Sequence, residues 1–249
     1  MRTVAVVLAG GSGVRLGGGT PKQLQLLAGR TLVEHCVAAF DAAPGIDDIV
    51  VVMPAGFVGE AERILAGRYR KLGHVITGGI DRPGSTSRAI DLLSRSGEDC
   101  NVLFHDAARP LVDQRIIADC VAGLADWAAL GVVVPTADTI AQLADGVMTS
   151  IPPRESLGRC QTPQGFRLSV IRRAYERAAA DMDAAAFTAT DDCGIVLRYL
   201  PEVQVRVVLG SERNLKITFP RDLRIAEAAL REAAASGPAG QDRQGGAGW

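Results

Sequence analysis

The chain of 249 residues is 47% hydrophobic and 4% aromatic, and its formal net charge is −1. This apolar fraction can form the core of one large or two small globular domains. The basic residues are spread along the chain, so neither nucleic acid nor a membrane is expected as a partner, and the few aromatic residues argue against a base-stacking surface.

The cysteine pattern predicts a redox compartment. The five cysteines are widely spaced, odd in number and form no C-x-x-C pair. This favours reduced thiols over a disulfide framework or a zinc site, and we therefore expect a cytoplasmic protein. The sequence has no long uncharged apolar segment and no leader-like region before its first strand, so neither a membrane span nor a signal peptide is predicted.

The first predicted element is a strand that opens into a glycine-rich loop. Residues 4–8 form a continuous apolar run of strand length, typical of a central strand buried on both faces. Gly10, Gly11 and Gly13 follow and lack a Cβ, so the backbone can bring several N–H groups close to a polyphosphate. The loop is therefore predicted to bind a nucleoside triphosphate.

Two cations in the same loop support this interpretation. Arg15 offers a planar fork for phosphate oxygens, and Lys22 offers a mobile point charge. Neither familiar glycine motif fits, because Lys22 lies between Pro21 and Gln23, unlike a P-loop lysine, and residues 11–17 are one residue too long for a Rossmann fingerprint. A loop that merely connects a strand to a helix is the alternative.

Strands and helices then alternate along the chain. Strands are predicted at 48–53, 74–77, 102–105, 131–135, 203–209 and 215–219. Helices are predicted from a capping box at Thr31 and Glu34, at 57–68, from Ser85 to 95, at 113–130 and 168–181, after an N-cap at Thr190, and at 221–234. This order implies an α/β fold, a Rossmann-like, doubly wound, mostly parallel sheet whose ligands bind beyond the carboxyl ends of the strands.

One segment interrupts the alternation and is predicted to project as a β-arm, residues 138–166. Asp145 and Gly146 lie between two alternating segments, which is a strong hairpin signal. A two-stranded ribbon is marginal alone, so we expect the arm to pack against a second subunit, with a flap on its own domain as the alternative. A single domain is expected at 1–235, followed by a disordered tail at 236–249.

Several polar residues could carry chemistry. Asp106 ends a strand at the ligand face, where a carboxylate can hold Mg²⁺ against triphosphate oxygens, although it could instead cap a turn while Arg109 makes a surface salt bridge. Arg154, Thr162 and Lys216 are isolated polar residues in apolar, proline-punctuated settings and together suit an anionic substrate. Strand alternation points His105 to the opposite face, and hydrolase chemistry has little support.

A set of short motifs occurs in the order of a known family. They are LAGGSGVR at 8–15, PKQ at 21–23, Gly78-Gly79 with Arg82 and Ser85, HDAARP at 105–110, Asp138-Thr139, QTPQ at 161–164, Thr190-Asp191 and KIT at 216–218. The chain resembles the CTP-dependent cytidylyltransferases that act on 2-C-methyl-D-erythritol 4-phosphate (MEP) or ribitol 5-phosphate. The resemblance covers residues 3–234.

The resemblance implies a role for each matching residue. CTP contacts are implied for Ala9, Gly10, Gly11, Gly13, Gly79, Ser85 and Ala107. Asp106 matches the Mg²⁺ ligand. Catalytic cations are implied at Arg15, Lys22 and Lys216. Acceptor contacts are implied for Arg109, Thr139, Arg154, Thr162 and Thr190, of which Thr139 and Arg154 would come from the arm of a second subunit in a homodimer.

The implied reaction needs no general base. An acceptor phosphate oxygen attacks the α-phosphorus of CTP and pyrophosphate leaves; the second pKa of a phosphate monoester is about 6, so the acceptor is already largely dianionic at neutral pH. The LAGG loop, the IPPR segment at 151–154 and TDDC at 190–193 favour a ribitol 5-phosphate acceptor over MEP. The alternatives are a hexose-1-phosphate nucleotidyltransferase using UTP or GTP, and a non-catalytic nucleotide-binding module.

Overall fold

The computed structural model describes residues 1–10, 21–181 and 191–236. Its strands are β1 (Thr3–Leu8), β2 (Leu26–Leu27), β3 (Arg30–Thr31), β4 (Asp48–Met53), β5 (Leu72–Thr77), β6 (Asn101–Asp106), β7 (Ala129–Pro135), β8 (Gln142–Ala144), β9 (Val147–Ser150), β10 (Gly158–Arg167) and β11 (Arg206–Leu209). Its α-helices are α1 (Leu32–Ala42), α2 (Val58–Leu65), α3 (Arg82–Ser94), α4 (Gln114–Asp126), α5 (Leu168–Ala180), α6 (Asp192–Tyr199) and α7 (Pro220–Ser236).

Seven strands form the central sheet, in the order β11-β7-β10-β6-β1-β4-β5. Neighbouring strands are parallel except that β10 runs antiparallel between β6 and β7. In the β1–β6 register, Leu8 lies opposite Asp106, so the carboxyl ends of these two strands meet at one edge. The predicted mostly parallel, doubly wound sheet is confirmed.

The continuous apolar run of β1 follows from burial on both sheet faces. Ala5 and Val7 pack in a cluster with helices α1 and α4, whereas Val4 and Val6 pack in a cluster with α3, α5 and α6. Successive side chains of a strand alternate between faces, so a strand covered by helices on both sides favours apolar side chains at successive positions, as at residues 4–8. The predicted central strand is confirmed.

The predicted start of α1 is confirmed, whereas the predicted start of α3 is wrong. Thr31 and Glu34 form the predicted capping box of α1. Helix α3 does not begin at Ser85 but at Arg82, because Asp81 is its N-cap and accepts a hydrogen bond from the Gly84 N–H at 2.7 Å. The cap satisfies a backbone donor of the first turn, which Ser85 cannot do from its place inside the helix.

The predicted hairpin is confirmed as β8 and β9, but the predicted arm extends into a strand of the central sheet. Asp145 and Gly146 both have positive φ, 49° and 79°, as a tight turn between β8 and β9 requires. Residues 158–166 instead belong to β10 inside the central sheet, and Gln161–Phe166 are buried. At Gly165 a Cβ would lie 2.8 Å from Leu130 Cδ1, so this strand packs too closely for any side chain there.

Smaller differences concern the C-terminal third. Residues 215–219 form no strand; the Ile217 N–H donates to the Ala108 carbonyl at 2.8 Å, which holds this segment beside the β6–α4 loop as irregular chain. The expected tail lies outside the described residues from 237 onward, while Ser236 itself ends α7. Within the described ranges, every helix is too short or too polar to cross a bilayer.

Candidate functional site

Asp106 is the centre of the polar groups at the carboxyl edge of the sheet. The Lys216 ammonium lies 2.7 Å from Asp106 Oδ2, and Arg82 Nε lies 3.1 Å from Oδ1. Burial raises the pKa of this carboxyl, but the two cations outweigh burial and hold its pKa well below the ordinary range. Asp106 is therefore a carboxylate throughout the neutral pH range, as the predicted metal ligand must be.

Arg82 connects this carboxylate to a second one that sequence reasoning missed. Its Nη2 forms an ion pair with Asp192 Oδ2 at 2.8 Å, and the Tyr175 hydroxyl donates to Asp192 Oδ1 at 2.6 Å. Burial lowers the Arg82 pKa, but Asp192 and Asp106 outweigh it, so the pKa is raised and the guanidinium stays charged. The sequence signals were the place of Arg82 among the motif residues after Gly79 and the TDDC segment at 190–193, neither of which indicated that the two side chains pair.

Thr162 and His105 brace the loop that follows Asp106. The Asp106 N–H donates to Thr162 Oγ1 at 3.1 Å, and Thr162 Oγ1 lies 3.0 Å from His105 Nδ1. His105 Nε2 lies 2.9 Å from the Arg109 carbonyl, which can only accept, so we assign the proton to Nε2 and let the hydroxyl donate to Nδ1. His105 does point away from Asp106, as predicted, yet it fixes the loop.

Arg109 is anchored by backbone oxygens. Its Nη1 donates to the Asn214 carbonyl at 2.8 Å and its Nη2 to the Cys160 carbonyl at 3.1 Å. The Asn214 amide donates to the Thr162 carbonyl at 2.9 Å, so the chain around Lys216 and the strand that bears Thr162 are held together. Sequence reasoning missed Asn214. The structure thus brings Asp106, Arg109, Thr162 and Lys216 into one region.

Lys22 reaches the same region from the end of the glycine-rich loop. Its ammonium donates to the Ile217 carbonyl at 2.6 Å. Ile217 follows Lys216 in the chain, so Lys22 contacts the same segment, just before α7, that carries Lys216. Arg15, Gly11 and Gly13 lie outside the described residues, and their predicted roles stay predictions.

The predicted nucleotide contacts Gly10, Gly79 and Ser85 are closely packed against one another and against Gly84. A Cβ on Gly79 would lie 2.5 Å from the Gly84 carbonyl carbon, and one on Gly10 would lie 2.5 Å from Ser85 Oγ. Ser85 is buried, donates to the Asp81 carbonyl at 2.9 Å and accepts from the Gly79 N–H at 3.2 Å. Its hydroxyl therefore shapes the loop beside β1, whereas contact with cytosine stays a prediction.

Ala9 and Ala107 link the carboxyl ends of β1, β4 and β6 by backbone hydrogen bonds. Both are fully buried. The Ala9 N–H donates to the Val52 carbonyl and the Ala107 N–H to the Leu8 carbonyl, at 2.8 and 2.9 Å. These bonds fix the point at which the glycine-rich loop leaves β1.

Two predicted acceptor contacts, Thr139 and Arg154, belong to the arm and have no described contact with the residues around Asp106. Thr139 and Arg154 are exposed, and Arg154 donates within the arm to the Ala137 carbonyl at 2.9 Å. Thr190 lies outside the described residues. It is not the N-cap of α6, because Asp191 occupies that position and accepts from the Gly194 N–H at 2.8 Å.

The donor set fits a magnesium ion that is shared with a nucleotide. Within the described parts of the chain, no three histidine, cysteine, aspartate or glutamate side chains gather as a metal-binding group. Of the two carboxylates described in this cluster, Asp106 is partly exposed and Asp192 is fully buried behind Arg82, and Mg²⁺ commonly binds through one or two carboxylates together with substrate phosphates and water. A metal that arrives with a triphosphate fits; an all-protein cage does not.

Comparison with known proteins supports one family. Residues 3–232 match the family model described as IspD, 2-C-methyl-D-erythritol 4-phosphate cytidylyltransferase. The MEP cytidylyltransferase of Thermobifida fusca is 52% identical over 92% of this chain and 94% of that protein. The bifunctional ribulose 5-phosphate reductase/CDP-ribitol pyrophosphorylase Bcs1 of Haemophilus influenzae is 37% identical over 91% of this chain and 48% of that protein.

Solved structures agree with the sequence comparison. The 4-diphosphocytidyl-2C-methyl-D-erythritol synthase of Anaerococcus prevotii superposes with a TM-score of 0.80 at 26% identity, covering 92% of this chain and 96% of that one. The MEP cytidylyltransferase of Francisella tularensis superposes with a TM-score of 0.76 at 26% identity, covering 92% and 99%.

Proposed function

The chain belongs to the IspD family of 2-C-methyl-D-erythritol 4-phosphate cytidylyltransferases, and from this premise we propose how its residues serve the reaction. It is a CTP-dependent nucleotidyltransferase that transfers a cytidylyl group to the phosphate of an alcohol phosphate. The observation that carries the residue assignment is the Lys216–Asp106–Arg82 cluster at the carboxyl edge of the sheet. Residues 1–235 act as one catalytic domain in this proposal.

We propose MEP as the acceptor. The 52% identical relative and the matching family model both carry that name, whereas the relative named for CDP-ribitol is 37% identical. This outweighs the sequence features of the glycine-rich loop and of 151–154 that favour ribitol 5-phosphate. Both acceptors are phosphate monoesters, so the chemical step is the same.

The proposed mechanism is positioning and charge compensation. An acceptor phosphate oxygen attacks the α-phosphorus in line, and the bond to the pyrophosphate oxygen breaks. Lys216 and Lys22 offset repulsion between the two polyanions and stabilise the charge that develops on the α-phosphoryl oxygens, with Arg15 proposed as a third cation. Asp106 would hold Mg²⁺, which supplies further charge neutralisation on the triphosphate when bound.

We propose that the acceptor site is completed by the arm of a second copy of the chain. Leu143, Val147 and Met148 are exposed on the hairpin, and Ile151 is exposed just beyond it. An isolated hairpin is marginal in water, and apolar side chains clustered on it are better covered by a partner. Such a partner would bring Arg154 to the acceptor phosphate.

A complementation experiment tests the arm. Neither Arg154→Ala nor Lys216→Ala protein should have appreciable activity alone. Mixed and refolded together they form heterodimers, one site of which has an intact Lys216 and receives an intact Arg154 from the other chain, so activity returns. If Arg154 serves its own chain, no site in the mixture is intact and activity stays lost.

The reaction is tested by pyrophosphate release from the full chain with CTP, Mg²⁺ and a panel of acceptors. We expect the highest kcat/KM with MEP and CTP, and a loss of at least 100-fold for Asp106→Asn. Asp119→Asn is the matched control, since Asp119 forms an exposed ion pair with Arg115 at 2.9 Å. Turnover of hexose 1-phosphate with UTP or GTP would contradict the proposal, as would thermal stabilisation by CTP with no turnover of any acceptor.

A further inference from the structure

We propose that Asp192 is a positioning residue: held by Tyr175, it fixes Arg82 against Asp106 and so sets the direction in which the Asp106 carboxylate faces its ligands. This inference rests on the proposed function, in which Asp106 binds the metal–nucleotide complex. It concerns residues of α3, α5 and α6 that lie behind the site. None of the three needs to touch a substrate.

The geometry is a continuous line of charged and polar contacts. Tyr175 donates to Asp192 at 2.6 Å, Asp192 pairs with Arg82 at 2.8 Å, and Arg82 pairs with Asp106 at 3.1 Å. Arg82 uses its Nη2 for one carboxylate and its Nε for the other. Because the guanidinium is planar and rigid, fixing one end of it fixes the other.

Asp192 is itself tightly held. Its backbone N–H and that of Cys193 both donate to Gln164 Oε1, at 3.0 and 3.2 Å, so the first turn of α6 is tied to β10. The side chain is 0% exposed. A buried carboxylate costs free energy unless it is paired and hydrogen-bonded. Here Arg82 supplies the opposite charge and the Tyr175 hydroxyl supplies a hydrogen bond.

The two cations that contact Asp106, Arg82 and Lys216, differ in how exposed they are and in how firmly they are held. The Arg82 side chain is 22% exposed and is held from behind, whereas the Lys216 side chain is 46% exposed. Lys216 can leave Oδ2 for an incoming phosphate at little desolvation cost. Arg82 keeps Oδ1, so the carboxylate retains its orientation while Oδ2 becomes available to a metal ion.

Direct ligand binding tests this role without turnover. Mn²⁺ is titrated into the protein with CTP present, and free Mn²⁺ is measured by electron paramagnetic resonance. Loss of a group that orients a metal ligand typically weakens metal binding or activity 10–100-fold, and we expect this range for Asp192→Asn. Tyr175→Phe, which removes only one hydroxyl, should weaken Mn²⁺ binding less, by a few fold. Both should lower kcat while the KM for the acceptor changes little.

The control is a second tyrosine–aspartate pair, between Tyr199 at the end of α6 and Asp181 at the end of α5. The Tyr199 hydroxyl donates to Asp181 at 2.8 Å, so Tyr199→Phe makes the same chemical deletion away from Asp106. It should leave Mn²⁺ affinity and kcat unchanged. If Tyr199→Phe and Tyr175→Phe weaken both equally, Tyr175 has only a general structural role and the inference is overturned.

A double variant tests whether Asp192 acts through Arg82. Arg82→Lys keeps the charge but cannot bridge two carboxylates, so it should lose about as much Mn²⁺ affinity as Asp192→Asn, and combining the two should add little further loss. Full additivity overturns the inference, and so does wild-type Mn²⁺ affinity in folded Asp192→Asn. If Asp192→Asn fails to fold, Tyr175→Phe decides. A wild-type chain that binds Mn²⁺ and CTP but turns over no acceptor contradicts the proposed function alone.

Discussion

Replacing Lys216 by alanine separates a catalytic cation from a structural ion pair. In the structure Lys216 has one described acidic partner, Asp106, at 2.7 Å. If the pair serves mainly to hold the fold, the variant should unfold more easily and lose activity only in proportion. If the ammonium serves the reaction, activity should fall while the fold stays intact.

The structure sets the expected magnitude of each effect. The Lys216 side chain is 46% exposed, and water and salt screen such a pair, so its direct contribution to stability is about 1 kcal/mol or less. Asp106 is not left as an isolated buried charge, because Arg82 remains 3.1 Å away. Loss of a cation that stabilises transition-state charge, by contrast, costs on the order of 10²–10³-fold in rate.

The assay pairs urea unfolding with kcat/KM for CTP in the pyrophosphate-release reaction. Lys71→Ala is the comparison: Lys71 is buried just before β5 and donates to the Ala43 carbonyl at 2.5 Å, at the edge of the sheet away from Asp106. It should lower stability and spare kcat, the reverse of Lys216→Ala. A Lys216→Ala protein with near-normal kcat/KM, or one destabilised as much as Lys71→Ala, would refute the catalytic role.

Three further variants test other parts of the molecule. Gly79→Ala should weaken CTP binding at least tenfold by calorimetry, since its Cβ would lie 2.5 Å from backbone of Gly84; an affinity within twofold of wild type contradicts this. Met148→Asp should shift the chain toward monomer in light scattering, and an unchanged mass contradicts the arm contact. Burial lowers the pKa of His105 to about 4, so it is neutral when folded and the unfolded chain binds the extra proton between pH 6.5 and 4. Stability should therefore decrease as the pH is lowered from 6.5 to 4, by on the order of 3 kcal/mol, and should decrease less steeply in His105→Asn. Equal pH dependences of the free energy of urea unfolding in the two metal-free proteins would contradict this prediction.

The sheet was predictable because each of these strands and helices is indicated by the pattern of its own residues. Residues 4–8 and 48–53 are apolar runs of strand length, and the intervening helix carries its own capping box. Parallel strands bring their carboxyl ends to one edge, so the loops after β1, β5 and β6 could be placed together without knowing the strand order. Asp106 was found in this way.

Strand β10 was not predictable because its burial depends on contacts with residues that are distant in the chain. The sequence QTPQ at 161–164 is polar and contains a proline, which normally argues against a central strand. The structure buries it because Gln164 accepts two N–H groups of α6 and its own amide donates to Asp191 at 2.8 Å. Those partners lie about 28 residues away in the chain, and no periodicity in the strand itself indicates them.

His105 illustrates how a correct local prediction can hide a function. Strand alternation does place its ring on the face opposite Asp106, where it meets Phe40 of α1 at 5.2 Å in an edge-on contact. Yet its two nitrogens contact Thr162 and the Arg109 carbonyl, residues on either side of the site. A side chain on the covered face can therefore fix the loop whose ligands project from the other face. Through the contact between Phe40 and His105, helix α1 on the covered face of the sheet therefore helps to hold the loop that follows Asp106.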